Sequence, residues 1–181
     1  MTRFSSWLVI AVVSLAGWIG CSSSSTPATG DGGPAGCTAY QVPAGTDLTT
    51  PMVSFKTDVV PIFQGSCALS TSCHGGATPG SDNGVYLGGS KTQQVDPATI
   101  IAAIVGKKSI ELASMDFVAA KDPASSYLMH KMDGDNCVYK DQCGAIPLPD
   151  CGNKMPSGSD VLDVATRDTI RRWIAQGALN N

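Results

Sequence analysis

Seven cysteines, at positions 21, 37, 67, 73, 137, 143 and 151, constrain this chain more than any other feature. Aromatic residues make up only 6% of the sequence. A domain with so few large side chains needs a second source of stability, either disulfides or a large apolar cofactor. The sequence holds candidates for both. Two cysteines bracket a short segment, FQGSCALSTSCHGG, in which His74 directly follows Cys73. Cys-His ends a c-type haem attachment site, whose usual form is C-x-x-C-H. Here the form is C-x5-C-H, which also suits a disulfide closing a short loop.

The N-terminus bears on which chemistry is open to the cysteines. In MTRFSSWLVIAVVSLAGWIGC, Arg3 precedes the apolar run Trp7–Ile19, as in a secretory signal. The run is shorter than the roughly 20 residues of a membrane span. Ala16, Gly17 and Gly20 lead up to Cys21, and this resembles a bacterial lipoprotein lipobox. The expected division is a signal peptide over residues 1–20, a tether over 21–52 and a folded domain over 53–181. Cys21 would carry the lipid anchor, placing the protein in the bacterial cell envelope, at the periplasmic face or the cell surface. The tether is mostly Ser, Thr, Gly and Pro without apolar periodicity, so it reads as disordered. As a flexible coil it spans on the order of 30 Å. Cys37 lies inside it and is placed to pin its end to the domain.

Helical signals dominate the domain. In SFKTDVVPIFQGSC, Asp58 is the expected cap, Pro61 falls in the first turn, and Val59, Ile62, Phe63 and Cys67 share a stripe. In DPATIIAAIVG, Asp96 caps, Pro97 starts and Gly106 ends a second helix. DPASSYLMHKMDG repeats the device with Asp122, Pro123 and Gly134, and Lys131 is expected to snorkel outward from its apolar side. A last helix starts at Asp163, buries Ile170, Trp173 and Ile174, and turns Arg171 and Arg172 outward. The cysteine-rich segment 136–158 reads as a loop. No stretch alternates with period two. The fold class is therefore all-α: about four short helices with long loops.

The net charge is −3, and the longest basic runs are Lys107-Lys108 and Arg171-Arg172. Nucleic-acid binding needs a clustered positive face and is not indicated. No phosphate loop or nucleophile elbow appears, which leaves kinase and hydrolase chemistry without support. Copper would want two histidines with a cysteine, and adjacent Cys73 and His74 cannot easily share one ion in that geometry. Zinc would want paired C-x-x-C units, which are missing.

A c-type haem asks for two thiols at one porphyrin edge and an imidazole on one face. A histidine directly after the second cysteine meets this with little chain. Extra residues between the cysteines can loop out, at an entropy cost that grows slowly with length. A methionine on the other face would raise the potential into a carrier range. Met155, in the loop NKMPSG, is the candidate, because Met129 and Met132 are explained by core filling. His130 reads as a surface residue.

The segments FKTDVVPIFQGSC and CHGG, then DPASSYLMHKMDG, then MPSGSDVLDVATRDTIRRWIAQGA, resemble in that order the small cytochrome c-like domains of exported bacterial proteins. The resemblance covers residues 54–179. It implies a cytochrome c-like fold with one covalent haem c per chain. Cys67 and Cys73 would be the thioether cysteines, His74 the proximal ligand and Met155 the distal ligand. Phe55, Val59, Ile62 and Trp173 would pack the terminal helices together and against the haem. Cys37, Cys137, Cys143 and Cys151 would be disulfide cysteines, with Cys137–Cys143 and Cys37–Cys151 as the suggested pairs. The function implied is electron transfer by a lipid-anchored monohaem cytochrome. It would be a carrier rather than an enzyme, monomeric, with a redox protein as partner. The alternative is a haem-free module on the same fold, with Cys67–Cys73 oxidised to a disulfide.

Overall fold

The computed structural model describes residues 36–80, 84–144 and 151–181. Cys21 and the apolar run before it lie outside the described residues. Among the described residues the architecture is helical, with four α-helices and only isolated β-bridges. No described helix is long and apolar enough to cross a membrane.

The first helical segment opens on a wide π-turn, Phe55–Val59, that runs directly into α1, Val60–Ser66. Ser54 is its cap. The Ser54 hydroxyl accepts from the Thr57 N–H, and the Ser54 N–H donates to Asp58 Oδ2 at 2.8 Å. Asp58 therefore stands in the reciprocal position of a capping pair instead of at the cap the sequence suggested. Pro61 has no N–H to donate back into the preceding turn, and the wide turn lies where that bond is missing.

Helix α2, Pro97–Ile104, follows its signals: Asp96 accepts from the Ala98 N–H, and Gly106 takes a left-handed φ of 66° just beyond its end. The third segment is split. A 3-10 turn, Pro123–Ser125, is capped by Asp122, and α3, Tyr127–Asp133, begins only after an extended Ser126. Ser126 is fully buried. Its hydroxyl donates to the Asp122 carbonyl at 2.8 Å and accepts from the Ala119 N–H at 2.9 Å. These local bonds compete with a continuous helix. Gly134, at φ 76°, ends α3 in the left-handed conformation that glycine adopts without strain. Helix α4, Val164–Ala175, is capped by Asp163, which accepts from the Thr166 N–H.

The core forms where α4 crosses the first segment. The Phe55 and Trp173 rings stack with centroids 4.9 Å apart, and Phe63 meets Phe55 edge-on at 6.2 Å. Ile100, Ile104, Leu128, Met132 and Ile170 continue the same buried cluster.

Two charged residues expected on the surface are buried. Arg171 is 2% exposed and Lys131 5%. Arg171 and Arg167 both pair with the buried Asp133 of α3, and Arg171 also pairs with Asp168. The tether reading also needs shortening, because residues 37–52 lie along the domain. Cys37 is disulfide-bonded to Cys137. The Tyr40 N–H donates to Asp135 at 2.7 Å, and its ring lies 4.6 Å from the Arg167 guanidinium. Arg172 donates to the Asp47 carbonyl, and Gln176 to the carbonyls of Thr49 and Pro51.

Candidate functional site

Helix α1 delivers Cys67 to the edge of the core, where its side chain is buried. The chain then leaves the surface and comes back. Residues 69–72 are exposed, while Cys73, Gly75 and Gly76 are buried. The return is closed by a bond from the His74 N–H to the Cys67 carbonyl at 3.1 Å. Gly75 is needed at this crossing, since a Cβ there would stand 2.4 Å from the Ala68 carbonyl oxygen. Beyond the crossing, the Leu87 N–H donates to the His74 carbonyl at 2.8 Å and the Gly76 N–H to the Gly88 carbonyl at 3.1 Å. So the wide spacer is extruded, and its ends meet.

The two cysteines of this loop are in different states. Cys67 is a free thiol, and burial pushes its pKa up to about 12. Cys73 is disulfide-bonded, and its partner is not Cys67. The disulfide between them that the alternative reading expected is therefore not formed.

The other four cysteines do pair, but as Cys37–Cys137 and Cys143–Cys151. The suggested Cys137–Cys143 and Cys37–Cys151 pairs are corrected accordingly. Asn136–Tyr139 forms a 3-10 turn that carries Cys137 beside the strap from Cys37. The shorter bond joins Cys143 to Cys151, at the start of the Met155 loop.

Met155 itself is half-buried, and its N–H donates to the Lys131 carbonyl at 2.8 Å. Trp173 is 1% exposed, stacked on Phe55, and donates its indole N–H to the Leu179 carbonyl at 3.0 Å. In this structure it therefore fastens the terminal segments together. His130 is half-buried instead of lying free on the surface. Its Nδ1 is 2.8 Å from Asp135, and its Nε2 lies near the Ala124 carbonyl and the Tyr139 hydroxyl. Burial opposes its charge, but the bond to Asp135, with the charges of Asp135 and Asp133, outweighs this and raises its pKa.

A cluster missed in the sequence surrounds the Met155 loop. Lys131 and Asn136 donate to the Cys151 carbonyl, the Tyr127 hydroxyl lies 3.1 Å from it, and Glu111 accepts from Lys131 and Tyr127. The available signal was Lys131 on the apolar stripe of α3. A lysine there is either snorkelling or paired, and its partner, Glu111, comes from a distant loop.

Cavities open at the surface of the described residues. One of about 470 Å³ lies between the strap, α1 and α4, lined by Met52, Asp58, Ile62 and Arg172 among others. One of about 270 Å³ is lined by Tyr86, Lys107, Ile110 and Phe117 among others. Neither is lined by Cys67, Cys73, His74 or Met155. Among the described residues no three His, Cys, Asp or Glu side chains are grouped to hold a metal ion. A haem would bring most of its iron's ligands with it and would not need such a cluster.

The donor set can be tested against a haem c. The ends of the C-x5-C-H segment meet through the His74 N–H and the Cys67 carbonyl, and the Met155 loop is fastened to α3. Both thioether positions also require thiols, and Cys73 is oxidised. The residue types suit the group, but the chain could hold it only with the Cys73 disulfide opened and the enclosed Cys67 thiol exposed. No family model, curated protein or solved structure matches the chain.

Proposed function

We propose that this chain is a lipid-anchored, monohaem c-type cytochrome that carries single electrons in the bacterial cell envelope. The observation that supports it best is the extruded spacer, which brings His74 back onto Cys67 despite the wide spacing. His74 and Met155 would hold the iron, and Cys67 and Cys73 would each add S–H across one vinyl group. The haem, when bound, supplies reversible one-electron chemistry, tuned by its ligands and burial. Cys73 must first be released from its disulfide by a dithiol reductant, which gives up two electrons and becomes the disulfide itself. Cys67 is enclosed with its thiol strongly favoured over thiolate, so attachment would precede the packing of α1. The partner would be a redox protein that meets the domain at the membrane surface.

A second reading is favoured by the bonded Cys73 and by the enclosure of the Cys67 thiol. On it, the domain is a haem-free envelope module braced by Cys37–Cys137 and Cys143–Cys151. The two readings separate in a haem stain of a denaturing gel. The chain would be expressed without its lipid signal in a host carrying cytochrome c maturation proteins, beside Cys67→Ser and Cys73→Ser. The cytochrome reading expects a stained band that weakens or vanishes in the variants. An unstained wild-type band would overturn it in favour of the braced module.

A further inference from the structure

Lys131 holds both ends of the segment Cys151–Met155. Its ammonium donates to the Cys151 carbonyl at 2.8 Å, and its own backbone carbonyl accepts from the Met155 N–H at 2.8 Å. The ammonium is also paired with Glu111 at 2.7 Å, and its side chain is 6% exposed. The Tyr127 hydroxyl lies 2.8 Å from the same Glu111 oxygen and 3.1 Å from the Cys151 carbonyl. Asn136 donates to the Cys151 and Gly152 carbonyls at 3.1 and 2.9 Å. A carbonyl has two lone pairs, so Lys131 and Asn136 fill those of Cys151 while the tyrosine proton goes to Glu111. Cys151 takes a left-handed φ of 66°, which a non-glycine residue keeps only when its surroundings enforce it. The loop also passes close over Gly134, where a Cβ would come within 3.5 Å of the Lys154 side chain.

A buried ion pair is poor value for stability alone, since apolar residues of the same size often do as well. A largely buried pair whose lysine, together with Asn136, donates to one loop carbonyl fixes the position of that loop. We infer that Lys131, with Glu111, Tyr127 and Asn136, is a positioning device that presents Met155. It rests on the cytochrome reading only for what Met155 is presented to, the haem iron.

Two variants test it: Tyr127→Phe, which removes one hydroxyl, and the double Lys131→Met/Glu111→Gln, which leaves no unpaired buried charge. Amide hydrogen exchange at Met155 is compared with that at Ile104 in α2, so that global loss of stability is seen separately. Loss of a charge-assisted bond corresponds to on the order of 10- to 100-fold faster exchange. The device predicts that acceleration at Met155 in the double variant, a smaller one in Tyr127→Phe, and little change at Ile104. In haem-loaded protein it further predicts loss of the methionine-to-iron absorption and a lower reduction potential, with the haem stain intact. Met155 exchange that is unchanged, or that rises only in step with Ile104, overturns the inference. So does methionine ligation that persists unaltered in the loaded double variant. If the wild-type chain takes no haem, the cytochrome reading fails by itself, and the Met155 amide alone decides for or against the positioning device.

Discussion

Replacing Cys37 and Cys137 together by serine opens a covalent loop whose ends are 100 residues apart in sequence. In the chain-entropy treatment, a loop of about that length restricts the unfolded state by about 4.7 kcal/mol. The same treatment gives about 2.5 kcal/mol for Cys143–Cys151, whose separation is 8. Both Cys37 and Cys137 are half-buried, so serine there leaves little cavity and little desolvated polar surface. The Tyr40 bond to Asp135 and its stacking over Arg167 survive the change, because neither uses sulfur. The double variant should therefore lose roughly 3–5 kcal/mol, a large share of the roughly 5–15 kcal/mol of a typical domain. Urea denaturation of the oxidised protein would show a lower midpoint. It would also show a steeper dependence on urea, because an unfolded chain without the cross-link exposes more surface. A loss below about 1 kcal/mol with an unchanged slope would refute the loop-entropy reasoning.

Three further outcomes are expected. Asp133→Asn leaves the Arg167 guanidinium without a carboxylate and Arg171 with Asp168 alone, both nearly enclosed, and should cost about 3–5 kcal/mol in the same urea assay; a cost under about 1 kcal/mol would contradict a buried charge hub. His130 has a raised pKa, so its contribution is full below the ordinary histidine value of 6.5 and is lost as pH rises through the raised value. The stability gap between wild type and His130→Asn should accordingly shrink on going from mildly acidic to alkaline pH, and a gap independent of pH would count against the pairing with Asp135. Cys67 should resist alkylation in the native protein at mildly alkaline pH and label readily in urea, whereas native labelling at the rate of a free thiol would place it outside the core.

The sequence was most legible where the signal is local. Asp96-Pro97 and Asp163 mark helix starts that the structure keeps, because a cap and the N–H groups that donate to it lie within one turn of each other. The apolar stripes carrying Phe63 and Trp173 were both legible, and that they pack together, as the resemblance implied, is seen with Phe55 between the rings. What stayed hidden depends on partners far along the chain. Lys131 and Arg171 read as outward because charges usually are, and their burial follows only from Glu111 and Asp133 being brought to them. Disulfide pairing is likewise a property of the folded path: Cys137 lies close in sequence to Cys143 but closes on Cys37. The break at Ser126 comes from one hydroxyl finding two backbone partners, which no periodicity records. At the candidate site, the sequence supplied Cys67, His74 and Met155, and the structure supplied the extruded spacer and the cluster that fastens the methionine loop.

Mass spectrometry of the tryptic peptide running from Thr57 to Lys91, which holds both Cys67 and Cys73, tests the cytochrome proposal most directly. The protein would be matured with its haem-attachment machinery, reduced, alkylated and digested. The proposal expects this peptide to carry the mass of one haem, with neither cysteine alkylated. A peptide without haem mass, alkylated at both cysteines after reduction, would contradict it.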